Sequence, residues 1–288
     1  MRRLFLVLAF VAAACSADAV ATPSGGAAPA GSVESQKPGE PVSPGPTDDA
    51  DSAKDASSTQ SDSGSKADSG GGPFGDILGT LSGSCGLVRS QLTTTTPSFY
   101  ENLLVFVAGE SYDKASLSSD GDRLFDTANA GGSSTESETM SFEILRYCEN
   151  AKLLKTETEI LYAPPDDSGP NSITDYLAEI NGLKIGVSVT RAYRPSNIAF
   201  PDSDVKALLE KKLEGVVRSS QRVLAADKWQ KQILHVWTAN KDETDAVVRV
   251  LPTIDGSIRA DTIVLLTETT GGGFIYCNPD PALGSECP

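Results

Sequence analysis

The chain predicts an α/β fold, a central mixed sheet with helices on both faces, over its last three quarters. Three observations carry this. The run Ser172–Ala192 reads as two strands joined at Asn181-Gly182, a dipeptide that supplies the positive φ angles of a two-residue hairpin turn. Stretches of helical apolar spacing alternate with strand-like stretches on both sides of that hairpin. Composition also changes sharply near residue 72 of 288, and the length beyond that point suits one domain.

Residues 1–15 combine Arg2 and Arg3 with a short apolar run and small residues before Cys15, the layout of a secretory signal. The run is too short to span a membrane. Residues 16–72 are rich in Ser, Gly, Pro, Ala and Asp and lack Phe, Tyr, Trp, Leu and Ile. Such a segment cannot bury enough apolar surface to fold and reads as an acidic tether. Residues 73–288 then form the single domain.

Within the domain, Phe99–Ala108 is expected to be a helix capped by Ser98. Ala115–Ala130 is rich in Asp, Ser and Gly with Leu117, Leu124 and Phe125 as anchors, and Ser119–Asp122 within it is expected to be a solvated turn. Ser119–Asp122 has a passing likeness to a calcium loop but lacks the remaining ligands. Thr135-Glu-Ser-Glu138 fits a capping box for a helix whose apolar arc is Met140, Ile144, Leu145 and Cys148. At about 100° per residue Glu138 falls near the edge of that arc and Glu143 further round towards the opposite side, so of the two Glu138 is expected to reach the core side. Lys155–Tyr162 alternates like a strand and leads through a Pro-rich loop into the hairpin. Asp202-Ser-Asp204 supplies capping residues for a helix over Val205–Leu224. A strand at Gln232–Thr238, a helix at Glu243–Leu251 and strands at Thr262–Leu266 and Phe274–Cys277 complete the order.

Residues 73–288 hold thirty acids against nineteen bases, a net of −11, which argues against a protein that coats nucleic acid. One segment differs, because residues 183–232 carry ten bases against five acids. Cys85, Cys148, Cys277 and Cys287 are disulfide candidates in an oxidising compartment. Cys277 and Cys287 bracket a short Pro/Gly-rich tail, Cys85 stands ahead of the folded part, and for Cys148 a buried thiol and a bridge stand equal. One His and the lack of a Cys-x-x-Cys argue against a structural zinc site.

The ending Ala13-Ala14-Cys15 resembles a bacterial lipobox, which implies lipidation of Cys15 and anchoring to a membrane. Ala12 departs from the usual Leu, so a plain signal-peptidase cut and secretion stand beside it. Ser16 resembles the signal for outer-membrane sorting, which places the protein in the cell envelope.

Helix, three-strand meander, helix, strand resembles the core order of the PD-(D/E)XK nuclease-like superfamily, a restriction-endonuclease-like core, over roughly Glu138 to Trp237. The words Ser141-Phe-Glu143, Lys155-Thr-Glu157, Thr174-Asp-Tyr176, Val187–Ala192, Lys211-Lys-Leu213 and His235-Val-Trp237 resemble a little-characterised group with the same core. The superfamily likeness implies that Asp175 is the metal-binding Asp of the motif. The acid-x-Lys pair that binds Mg²⁺ or Mn²⁺ and activates water then falls at Ser188 and Thr190, which carry no charge. Some members move the lysine to the following helix, which makes Lys212 the candidate replacement, since it lies in the apolar stripe of Val205, Leu208, Leu209, Leu213 and Val216. A snorkelling lysine covers the same observation.

Glu138 and Glu157 are the candidate further carboxylates, against a capping role for Glu138 and a solvated strand face for Glu157. Arg191 and Arg194 are candidate phosphate contacts, or partners of Asp202 and Asp204. His235 is read as a hydrogen-bonded core residue. Two functions remain: a non-catalytic binding module at the envelope, with nucleic acid among its possible ligands and no protein partner identified, and a metal-dependent phosphodiesterase with a rebuilt site.

Overall fold

The computed structural model describes residues 72–74, 78–106, 112–127, 135–164, 171–195 and 197–277. The expected signal segment, the expected tether over 16–72 except Gly72, Cys15 and Cys287 lie outside the described residues.

The strands are β1 (Gly72–Phe74), β2 (Gly79–Gly83), β3 (Ser98–Phe106), β4 (Lys152–Thr156), β5 (Tyr176–Ile180), β6 (Leu183–Arg191), β7 (Lys231–Thr238) and β8 (Ile263–Thr270). They form one sheet in the order β1-β2-β3-β8-β7-β6-β5-β4. The pairs β3–β8, β8–β7 and β7–β6 are parallel, and the others are antiparallel. The expected α/β fold with a mixed central sheet is therefore present.

The helices are α1 (Ser119–Asp126), α2 (Thr135–Glu149), α3 (Asp202–Arg222), α4 (Lys241–Val250) and the short α5 (Gly256–Arg259). Met140, Phe142, Ile144 and Leu145 of α2 pack on one sheet face against Tyr176, Val187, Ile233 and Trp237. On the other face Val205, Leu209, Leu213 and Val216 of α3 join Val247 of α4 over Leu234, Val236 and Leu266. The run α2, β4, β5, β6, α3, β7 is the expected core order.

The hairpin turns as expected, with Asn181 at φ 52° and Gly182 at φ 76°. Tyr176 pairs with Val187 and Ile180 with Leu183. That register places the residue before β5, Asp175, across from the middle of β6.

Four expectations are corrected. The helix expected over Phe99–Ala108 gives way, as far as Phe106, to β3, with Asn102, Leu104 and Phe106 buried and Glu101, Leu103 and Val105 exposed. That period of two is a strand's. The turn expected at Ser119–Asp122 belongs to α1, whose start is capped by Ser118 Oγ accepting from the Gly121 amide at 3.0 Å. The strand at Lys155–Tyr162 ends at Thr156, where the Thr156 amide donates to Glu159 Oε2 at 2.9 Å and the chain enters a 3₁₀ turn over Glu157–Glu159. Phe274–Cys277 is no strand. Gly271 and Gly272 turn the chain at positive φ into a 3₁₀ turn over Gly273–Ile275, which sets Phe274 edge-on to Phe106 with ring centres 5.2 Å apart.

Glu143 is buried as deeply as the apolar arc. It accepts from the Ser118 amide at 2.8 Å, from Ser118 Oγ at 2.6 Å and from Arg146 Nε at 2.7 Å, so three donors satisfy it. The free-thiol reading of Cys148 gives way to a Cys85–Cys148 disulfide. Beside it Glu149, also buried, accepts from Arg89 Nε at 3.0 Å and from the amides of Val88 and Arg89. Together they fasten the segment ahead of β3 to the end of α2. Cys277 is disulfide-bonded as well.

Candidate functional site

Asp175 is the centre of the expected site, and the backbone holds it in place. Its amide donates to the Val187 carbonyl at 3.0 Å, and its Oδ2 accepts from the Val189 amide at 2.6 Å. It thus bridges onto β6 from the end of β5. Burial pushes its carboxyl up to about 6; the Val189 amide and the Lys212 charge pull it back, and Glu157 pushes it further up. The side chain keeps a partly exposed edge.

Asp175 borders two spaces. One is a narrow pocket that it shares with Glu138, Glu157, Thr156, Thr127 and Thr135, with a volume of about 10 Å³, enough for one water-sized particle. Three of the expected carboxylates therefore line one pocket. They do not close round a common point: among the described residues no group of three or more His, Cys, Asp or Glu side chains is placed to hold a metal ion. Glu138 is buried, while Glu157 is half-exposed on its 3₁₀ turn.

The second space is a groove of about 250 Å³ lined by Ser172, Asp175, Ser188, Lys211, Lys212 and Arg218, with Gly215 and Val216. Lys212 is half-buried there, on the sheet side of α3 as its place in the apolar stripe predicts, and Lys211 is exposed. Lys212 lines the groove and is absent from the carboxylate pocket, so Lys212 and Glu138 meet Asp175 from different spaces. The single constellation expected for a rebuilt site is divided, with Asp175 as the wall between its halves.

Ser188 and Thr190 are buried on β6, and Ser188 Oγ shares a hydrogen bond of 3.0 Å with Thr174 Oγ1. That bond keeps the third-strand position neutral and satisfied. The two arginines have partners within the fold. Arg191 donates to the Ile275 and Cys277 carbonyls at 3.3 Å each. Arg194 lies 3.7 Å from Asp204 and over the Phe200 ring, while Asp202 pairs with Arg249 instead.

Arg218, which sequence reasoning left out of the site, donates from Nε to Ser172 Oγ at 3.3 Å. The available signal was its spacing, seven residues after Lys211 and so on the same face of a helix. His235 is a core residue: Nδ1 bonds Ser141 Oγ at 2.7 Å, Nε2 bonds Thr267 Oγ1 at 2.9 Å, and Ser141 Oγ meets Tyr176 Oη at 2.8 Å. Burial pushes the imidazole down to about 3, so it is neutral. Three of the sequence words thus meet in one buried chain of hydrogen bonds.

No family model matches the chain. The AAC-rich mRNA clone AAC4 protein of Dictyostelium discoideum is 41% identical over 167 residues, which are 56% of this chain and 24% of that protein. The chain thus spans about a quarter of that relative's length. Among solved structures, SfsA of Pyrococcus furiosus in complex with Ca²⁺ matches with 15% identity and a TM-score of 0.26, over 48% of this chain and 56% of that one.

Proposed function

We propose that the domain is a non-catalytic binding module that takes a phosphate-bearing ligand, nucleic acid included, in the groove beside Asp175, and that Cys15 anchors it by a lipid to the cell envelope. The observation that carries the reading is the convergence of Lys211, Lys212 and Arg218 on one groove, while neutral, hydrogen-bonded Ser188 holds the position a catalytic acid would need. The groove is a basic strip on an acidic domain, so it selects an anion at close range without attracting nucleic acid at a distance.

The test is binding of a short single-stranded oligonucleotide, DNA or RNA, to the protein at low salt, followed by titration with salt. A Lys211→Ala/Arg218→Ala variant is expected to bind at least about tenfold more weakly, since hydrogen bonds to charged groups contribute roughly 1.5–3 kcal/mol. Equal binding by that variant refutes the groove. Anchoring is tested separately, by whether Cys15→Ala releases the protein from membranes.

A second reading, a Mg²⁺- or Mn²⁺-dependent phosphodiesterase using Asp175 and Lys212, is favoured by the pocket that Asp175, Glu138 and Glu157 share. Incubation with DNA, RNA and a generic phosphodiester, with metal or with chelator, decides it. Metal-dependent cleavage lost in Asp175→Asn establishes the enzyme and displaces the module.

A further inference from the structure

A second site, independent of the groove, lies at the amino ends of β3 and β8. There a pocket of about 80 Å³ is walled by Pro97, Phe99, Leu251 and Val264 and also lined by Ser98 and Arg259. Leu251 and Val264 are buried. Thr262 lines it too, its Oγ1 accepting from Gln232 Nε2 at 3.3 Å, whereas the other two polar members share one property. Ser98 Oγ and Arg259 Nε are both shielded from solvent and have no hydrogen-bond partner among the described residues. Buried polar atoms are nearly always paired, and two unpaired ones lining the same small pocket point to a ligand that pairs both.

The chain also spends conformational strain at this place. Ala260, directly after Arg259, sits at φ 47° and ψ −129°, a region that L side chains rarely enter. Asp255 fixes the start of the same turn, accepting from the Ser257 amide at 2.7 Å. The neighbouring acid Asp261 is engaged elsewhere, by Gln232 Nε2 at 2.6 Å and by Lys231 Nζ at 3.7 Å, and no ion pair to Arg259 occurs among the described residues. Asp255 is the other acid near the guanidinium, and its carboxylate is held down first by its bonds to Ser257. The guanidinium therefore keeps donor capacity for an incoming anion.

We propose that this pocket binds a small organic carboxylate, its carboxylate on Arg259 Nε and Ser98 Oγ and its short aliphatic part against Phe99, Leu251 and Val264. A guanidinium edge with a hydroxyl beside it matches a carboxylate's two oxygens. The volume is about half that of an engineered cavity that takes benzene, and the pocket opens to solvent, so a four-carbon acid, with as many non-hydrogen atoms as benzene, seats only part of its length.

The experiment uses the purified chain and four probes: butyrate, 1-butanol, butylamine and inorganic phosphate, followed by thermal shift and by NMR titration. Butyrate is expected to bind saturably with a Kd on the order of 1 mM, in keeping with its few non-hydrogen atoms. Butanol and butylamine are expected not to saturate. Arg259→Gln is expected to weaken butyrate at least about tenfold and Ser98→Ala a few-fold. Arg259 is only partly buried, so the melting temperature of unliganded Arg259→Gln should stay near that of the parent, which separates loss of the site from loss of the fold. The proposal is overturned if butyrate shows no saturation, if its binding survives Arg259→Gln, or if phosphate binds more tightly than butyrate. None of these results bears on Lys211 or Arg218, so the groove stands or falls separately.

Discussion

At the residue scale, Asp175 concentrates the chemistry of the candidate site, and its ionisation yields two predictions. Unfolded, the carboxyl titrates near 3.8, and folded, near 6, so the folded state binds its proton more tightly. The sign follows: as pH rises from about 4 to 6 the folded state loses stability relative to the unfolded chain, and above 6 the full penalty applies. A shift of this size corresponds to at most about 3 kcal/mol, and partial exposure reduces it to about 1–2 kcal/mol. Asp175→Asn keeps an oxygen for the Val189 amide and is expected to raise stability by that amount at pH 7.5 and to flatten the change between pH 4 and 6. Denaturant melts at several pH values measure it; an Asn variant less stable at pH 7.5 contradicts the account. The second prediction concerns binding, since protonating Asp175 removes a negative charge from the wall of the groove. Affinity for an oligonucleotide is therefore expected to rise as pH falls from 7.5 to 5.5, and in Asp175→Asn that rise should vanish.

Ala260 supplies a third test at this scale. Glycine accepts its backbone angles without steric cost, so Ala260→Gly is expected to stabilise the fold by about 1 kcal/mol, seen as a higher denaturant midpoint. Elsewhere in the chain the same exchange usually destabilises.

At the element scale, α1 and the disulfide show what sequence could and could not disclose. Gly121 stands inside α1, where alanine is ordinarily the better helix former by about 1 kcal/mol. Here a Cβ would lie 2.1 Å from Glu143 Oε1, an oxygen held by Ser118 and Arg146. Gly121→Ala is expected to destabilise by about 1–3 kcal/mol, the reverse of its effect on an isolated helix. Replacing both Cys85 and Cys148 by Ala opens a link across 63 residues, expected to cost about 4 kcal/mol by the chain-entropy relation. This is measured with the double variant and not with a reductant, which would also attack the Cys277 bond.

The hairpin was legible because Asn181-Gly182 and the flanking alternation are local signals. β3 was not, because Leu103-Leu-Val-Phe106 fits either period, and its strand character is decided by β2 and by β8, some 160 residues later in the chain. The site was legible in the same uneven way. Spacing along α2 and α3 placed Glu138 inward and Lys212 beside the sheet. That they approach Asp175 from separate spaces depends on where the β4–β5 connection lays Glu157, which no periodicity encodes. Glu143 was misplaced because a single helical wheel assumes one buried face, whereas α2 is covered by the sheet on one side and by α1 on another.

At the scale of the whole molecule, a net charge of −15 on the chain acts against compaction at low ionic strength. Salt should therefore raise the melting temperature while weakening any ligand held at Lys211 and Arg218. Opposite responses to one variable distinguish the global field from the local one.

The strand order has a further consequence, for how the molecule is made. β1, β2 and β3 come first from the ribosome, yet β3 joins the rest of the sheet through β8, the last of the eight strands to emerge. The antiparallel wing built by the earliest strands thus has one open hydrogen-bonding edge for almost the whole of synthesis. Leu104 and Phe106 wait for the same moment, because part of their shelter in the core comes from Leu265 and Phe274. Completion of the sheet consequently waits for β8, and ribosome-bound chains stalled before Ile263 should be cut by protease within β2 and β3, while released chains resist.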